Sequence, residues 1–120
     1  MGTPPGPMLE DYSEVIRSRQ VLVAENKGAI AGVLVLMRTD EGFQLNNVAV
    51  DPAFWGKGIG RQLLEMAEAE ARRQGYDSIY LYTHETMTEN QRLYAKNGYV
   101  EYDRRLESGL ARVYLRKPLA

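Results

Sequence analysis

Val48-Ala49-Val50-Asp51-Pro52-Ala53-Phe54-Trp55-Gly56-Lys57-Gly58-Ile59-Gly60-Arg61 leads from an alternating, strand-like segment through a glycine-rich turn directly into an amphipathic helix. Glycines at 56, 58 and 60 remove Cβ atoms from the turn. The successive amide N–H groups there face the positive end of the helix dipole, an arrangement suited to a bound phosphate. Two familiar phosphate loops do not fit. A Walker loop places Ser or Thr after its Lys, whereas Gly58 follows Lys57 and Asp51 stands at the first glycine position; the dinucleotide fingerprint needs glycine where Arg61 stands. Read alone, the segment is equally compatible with a turn that merely packs tightly beneath its helix.

Within that helix, Ile59, Leu63, Met66, Ala67 and Ala71 share one face while Arg61, Glu65, Glu68 and Arg72 occupy the other, which predicts a helix over 59–74 ending before Gly75. Upstream, apolar and β-branched runs at 20–25, 29–37 and 43–50, separated by Asn26-Lys27-Gly28 and Asp40-Glu41-Gly42, predict a three-strand meander. Earlier still, Leu9, Tyr12, Val15 and Ile16 recur at helical spacing and predict a short helix over 8–18 behind a Pro/Gly-rich leader at 1–7. Downstream, the pattern gives a strand over 77–83, a helix over 86–97 stopped by Gly98, and a hairpin of 99–106 with 110–116 about Glu107-Ser108-Gly109. Strand-helix-strand units place neighbouring strands parallel, whereas hairpins are antiparallel. The expected fold is therefore a mixed α/β (α+β) domain over 8–120, with a mainly antiparallel six-stranded sheet flanked by about three helices.

Composition narrows the chemistry. The 120 residues include 44% hydrophobic and 26% charged ones, ordinary for one globular core. Fifteen basic against sixteen acidic residues leave a net charge of −1, with no broad cationic field for nucleic acid or anionic lipid. No cysteine is present, and a single histidine, His84, makes a histidine-rich metal cluster unworkable, so no metal is expected. The longest apolar run, at 29–37, is far shorter than the roughly 20 residues a membrane-spanning helix requires. With no secretory signal at the start, a cytoplasmic location is expected.

A second segment gives the glycine turn its context: Thr88-Glu89-Asn90-Gln91-Arg92-Leu93-Tyr94-Ala95-Lys96-Asn97-Gly98-Tyr99. Together the two resemble the GNAT superfamily of N-acetyltransferases, whose motifs are strand-(R/Q)-x-x-G-x-(G/A)-helix and, downstream, a helix bearing L-Y-x-K-x-G-(F/Y). Gly58-Ile59-Gly60 matches the first motif and Leu93-Tyr94-x-Lys96-x-Gly98-Tyr99 the second, in the same order. The resemblance extends over about 20–117.

The resemblance implies an acyltransferase that moves an acetyl group from acetyl-CoA to a primary amine by direct attack. It assigns Val48 and Val50 to the pantetheine arm, and Gly56, Lys57, Gly58, Ile59, Gly60 and Arg61 to the pyrophosphate. Tyr94 becomes the acid that protonates the departing thiolate, and Asn90 a partner for a pantetheine amide. The family's usual carboxylate base is replaced by Asn46 and Asn47, which leaves His84, Glu85 or ordered water for that role. Trp55 stands where the motif opens with a basic or amide residue, and Met87 where many relatives carry Asn. The family also has a strand and helix ahead of the first helix, for which the leader offers no counterpart. Residues 20–25 are then expected at a sheet edge, open to a second copy of the chain. These departures motivate the alternative of a non-catalytic acetyl-CoA-binding or interaction module.

Overall fold

Hairpin geometry sets the sheet. Lys27-Gly28 and Ser108-Gly109 all take positive φ, between 51° and 83°, the two-residue turn that matches the right-handed twist of antiparallel strands. The computed structural model describes residues 16–119. Its elements are β1 (Ile16–Asn26), β2 (Ala29–Thr39), β3 (Gly42–Val50), a 3₁₀ turn (Pro52–Phe54), α1 (Ile59–Arg73), β4 (Ser78–His84), α2 (Thr88–Lys96), β5 (Val100–Glu107) and β6 (Leu110–Pro118). They build a mixed, mainly antiparallel six-stranded sheet in the order β1-β2-β3-β4-β6-β5. Only the β3–β4 contact is parallel.

Two expectations are corrected. The first is the neighbour relation across α2: β4 and β5 are not adjacent, because β6 inserts between them. The strand compositions give the reason. β6 carries the fully buried run Val113-Tyr114-Leu115, suited to an interior position, whereas β5 reads VEYDRRLE with no buried residue and takes the edge. The second is the N-terminal helix. Ile16–Ser18 are strand, paired with the end of β2, and Arg38 Nε donates to Ser18 Oγ at 2.8 Å. The remainder of that helix and the leader lie outside the described residues. The described residues therefore contain two α-helices, neither long and apolar enough to cross a membrane.

Both helices cover the same sheet face. Leu34, Leu36, Phe43, Leu45, Ile79, Leu81, Val113 and Leu115 form a continuous apolar floor, and α1 lays Ile59, Leu63, Ala67 and Ala71 on it. α2 has no fully buried residue and reaches the core through half-buried Tyr94. The far end of α1 is tied to β1 through Glu70, which accepts from Gln20 at 3.1 Å and Gln74 at 2.7 Å and pairs with Arg73. These bonds hold the Glu70 carboxyl down at about 2, the Arg73 bond contributing most.

The start of α1 is seated by close approach. A Cβ on Gly32 would meet Leu63 Cδ1 at 2.8 Å, the Ala49 carbonyl oxygen at 3.0 Å and Ile59 Cγ2 at 3.1 Å. Only glycine lets β2 pass so near the first turn of the helix. Gly32→Val is expected to lower the unfolding free energy by about 1–3 kcal/mol or more through overpacking. Urea denaturation checks this, and an unchanged midpoint would show that α1 sits less tightly on β2.

Candidate active site

The site begins with an extra residue in β3. Leu36 pairs with Leu45 and Val35 with Asn47, so Asn46 has no partner across the β2–β3 ladder and forms a β-bulge. Its Nδ2 donates to Gln44 Oε1 at 3.1 Å. A bulge raises local twist and bends its strand. Here β3 pairs with β4 only at Gln44↔Tyr80, and beyond that point the two parallel strands diverge.

On the helical face β3, α1 and α2 enclose a cavity of about 300 Å³. β3 contributes Val48 and Val50, α1 contributes Gly60, Arg61 and Leu64, and α2 contributes Asn90, Leu93, Tyr94 and Asn97. The expected arm-binding strand, the start of the glycine-turn helix, Asn90 and the tyrosine thus line one space. Leu64, Leu93 and Asn97 are additions the sequence reading missed. Their signal was periodic: Leu64 is one turn beyond Gly60, and Asn97 lies three residues after Tyr94. Asn97 Nδ2 also donates to the Leu93 carbonyl at 2.8 Å, closing the end of α2.

The turn itself is held from outside. Asp51 caps the Ala53 amide at 2.9 Å, and the Trp55 indole N–H donates to the Val50 carbonyl at 3.2 Å although the ring is 69% exposed. Trp55 therefore ties the strand exit to the turn. Gly56 and Gly58 adopt φ of +80° and +78°, a left-handed conformation that favours glycine. The first α1 bond is Gln62 N–H to the Gly58 carbonyl at 3.0 Å. Among the described residues, the amides of Gly56, Lys57, Gly58, Ile59, Gly60 and Arg61 find no acceptor. No acidic side chain stands in the first turn of α1 to neutralise it. A fifteen-residue helix thus ends in a row of unpaired donors with its positive dipole end uncovered. These residues fit a pyrophosphate, and they do so through the main chain. The Ile59 side chain is buried in the core, Lys57 is exposed, and the Arg61 guanidinium is turned into solvent 3.4 Å from Glu65.

Tyr94 stands edge-on to Tyr99, their centroids 5.6 Å apart. Burial pushes its phenol above the usual range, so the hydroxyl keeps its proton at neutral pH. Tyr99 is deeper, and its hydroxyl has no hydrogen-bond partner among the described residues.

His84 and Glu85 lie at the C-terminal end of β4 and do not line this cavity. The His84 ring folds onto the next loop: Nδ1 accepts from the Thr86 amide at 3.1 Å and lies 2.8 Å from Thr86 Oγ1. Glu85 is exposed, its amide bonded to the Ala111 carbonyl at 3.0 Å. Asn47 pairs with Val35 and is exposed. Among the described residues no group of three or more His, Asp and Glu could hold a metal ion.

The acetyltransferase (GNAT) domain model matches residues 17–101. The chain belongs to the GNAT acetyltransferase family. It is similar to the IAA acetyltransferase of Azospirillum brasilense, 33% identical over 82 residues, which cover 67% of this chain and 54% of that protein. The chain thus spans about half the length of this curated GNAT relative. Among solved GNAT structures, an acetyltransferase from Elizabethkingia anophelis with acetyl-CoA bound superimposes with a TM-score of 0.74 at 25% identity, over 85% of this chain and 77% of that one. The IAA acetyltransferase from Bacillus cereus ATCC 14579 gives 0.68 at 26% identity, over 82% and 77%.

Proposed function

We propose that this GNAT chain transfers an acetyl group from acetyl-CoA to a primary amine by direct attack. One observation carries the reading: Gly60 and Arg61, at the uncapped start of α1, line one cavity with Val48 and Val50 of β3 and Tyr94 of α2. Acetyl-CoA supplies, when bound, a thioester carbonyl for the amine to attack and a thiol as leaving group.

The chain's own residues do the rest. The amides of residues 56–61 hold the diphosphate, and the free edge of β3 at Val48 and Val50 runs alongside the arm. Asn90 lines the same cavity, and its amide takes a polar group of the arm. Leu64 and Leu93 exclude water from the cavity wall, which strengthens each hydrogen bond inside it. Tyr94 Oη gives its proton to the departing sulfur and regains one after the attacking nitrogen loses its own. A phenol serves here because it remains protonated until well above neutral pH yet is close enough in acidity to a thiol. Water at the open end of β4, with Glu85 nearby, takes the amine proton.

A screen of primary amines with acetyl-CoA, read as free-thiol release, tests the reading. Turnover with at least one amine is expected. Calorimetric binding of acetyl-CoA without thiol release from any amine would instead show the non-catalytic module, and no binding at all would remove both.

A further inference from the structure

β1 forms one edge of the sheet, and among the described residues no strand runs along its outer side. The opposite edge, β5, is protected by charge: it carries Glu101, Asp103, Arg104, Arg105 and Glu107, and its arginines are held by Glu101, Asp103 and Glu41. Such a row of charges deters a further strand. β1 is built differently. Gln20-Val21-Leu22-Val23-Ala24 has neither charge nor proline, and its register against β2 runs without a shift from Ser18 to Ala24.

Side chains alternate across this stretch. Gln20 reaches Glu70 of α1, Leu22 packs against the core and Ala24 is buried in it. Arg19, Val21, Val23 and Glu25 therefore stand on the face away from the helices, where all four are exposed. Across the ladder Arg19 faces Met37 and Glu25 faces Ile30, so neither has an opposite charge on the neighbouring strand.

Two copies of the same strand pair antiparallel about a two-fold axis perpendicular to the sheet. Facing residues share a side of the sheet, so the axis passes through a residue. With the axis at Leu22, Val21 faces Val23 of the second copy and Arg19 faces Glu25 of the second copy, each contact made twice. The valines then form an apolar cluster flanked at both ends by opposite charges. Neighbouring registers lose this match. An axis at Val21 sets Arg19 against Val23 and leaves Glu25 opposite Arg17, the residue at the β1 bulge; an axis at Val23 sets Val21 against Glu25 and Arg19 against Lys27.

We propose that β1 pairs antiparallel with β1 of a second copy of this chain, centred on Leu22, with Arg19 and Glu25 forming an ion pair at each end. The pairing uses the uncharged edge of both copies and leaves the charged β5 at each end of the joined sheet, so assembly stops at two. No residue of β1 lines the Tyr94 cavity, and the pairing stands apart from the acetyl-transfer reading.

Sedimentation velocity of the full chain over a concentration series should show a reversible monomer–dimer equilibrium; a monomer at every concentration, or growth beyond two copies, would overturn the proposal. Arg19→Glu alone and Glu25→Arg alone each set like charges opposite one another at both ends, and each should weaken the dimer about tenfold or more. An equimolar mixture of the two variants should recover it, because in the mixed dimer every facing pair is again of opposite sign, and recovery also shows that both variants fold. Undiminished association of either variant alone, or a mixture no stronger than its components, counts against the pairing. The register is read separately, since the chain has no cysteine of its own. Val21→Cys and Val23→Cys, oxidised with diamide, should form a disulfide when mixed and little when kept apart, because directly facing Cα atoms lie about 4.5–5.5 Å apart and diagonal ones about 7–8 Å. A disulfide formed by either variant alone as readily as by the mixture would place the axis elsewhere and overturn the pairing about Leu22.

Discussion

Tyr94→Phe is expected to lower kcat for acetyl transfer by about 100-fold or more, the usual contribution of a positioned general acid. Acetyl-CoA should still bind, because the donors proposed for its diphosphate are main-chain amides that the substitution leaves untouched. The substitution removes one oxygen and keeps the ring, so the edge contact with Tyr99 survives and the melting temperature should hardly move. The pH profile adds a second reading. Burial raises the Tyr94 phenol, so the protonated, active form persists as pH rises and is lost only above the ordinary phenol value. Activity with a fixed amine should rise as the amine deprotonates and show no alkaline fall below about pH 10. A Tyr94→Phe variant with kcat near wild type would reassign the proton to water, while a melting temperature lowered by many degrees would make the loss of rate structural.

How much of this was legible in the chain depends on whether a feature is local. The glycine turn was readable because its chemistry is carried by consecutive amides: once Gly56 and Gly58 fix the backbone, the donors of residues 56–61 follow whatever the side chains do. The helix bearing Tyr94 was readable for the same reason, its spacing placing Asn90 and Tyr94 one turn apart. The Asn46 bulge was not. It exists only in the register of β2 against β3, Leu36 with Leu45 but Val35 with Asn47, and one residue of slippage across a ladder leaves no mark on either strand alone. The insertion of β6 was legible in part. The contrast between an apolar 113–115 and a charged 100–107 marks interior and edge strands, although simple strand-helix-strand reasoning joins β4 to β5. His84 is a candidate base from residue type, but where its ring is held is not legible in the chain. Its bond to Thr86 is formed by loop closure, and a side chain's tautomer is decided by such partners rather than by its identity.

Gly60→Asp should separate the fold from the cofactor. Gly60 is the second residue of α1 and lines the cavity, its φ lies outside the left-handed region, and a Cβ there would meet only Val50 Cγ2 at 3.9 Å. An aspartate therefore fits without strain. It also suits the helix: replacing glycine recovers several tenths of a kcal/mol of propensity, and a carboxylate in the first turn adds about 0.3–1 kcal/mol against the dipole. The melting temperature should hold or rise. Binding should do the opposite, because the new carboxylate occupies the cradle, can accept hydrogen bonds from its unpaired amides and repels a diphosphate. At a separation of about 4 Å and an effective dielectric of 20, one unit of like charge costs about 4 kcal/mol. Acetyl-CoA affinity measured by calorimetry should fall by about 100-fold or more, while Gly60→Ala, which adds the Cβ without the charge, should bind within about tenfold of wild type. Undiminished binding by the more stable aspartate variant would mean that the diphosphate sits elsewhere and that the unpaired amides of α1 serve only the turn.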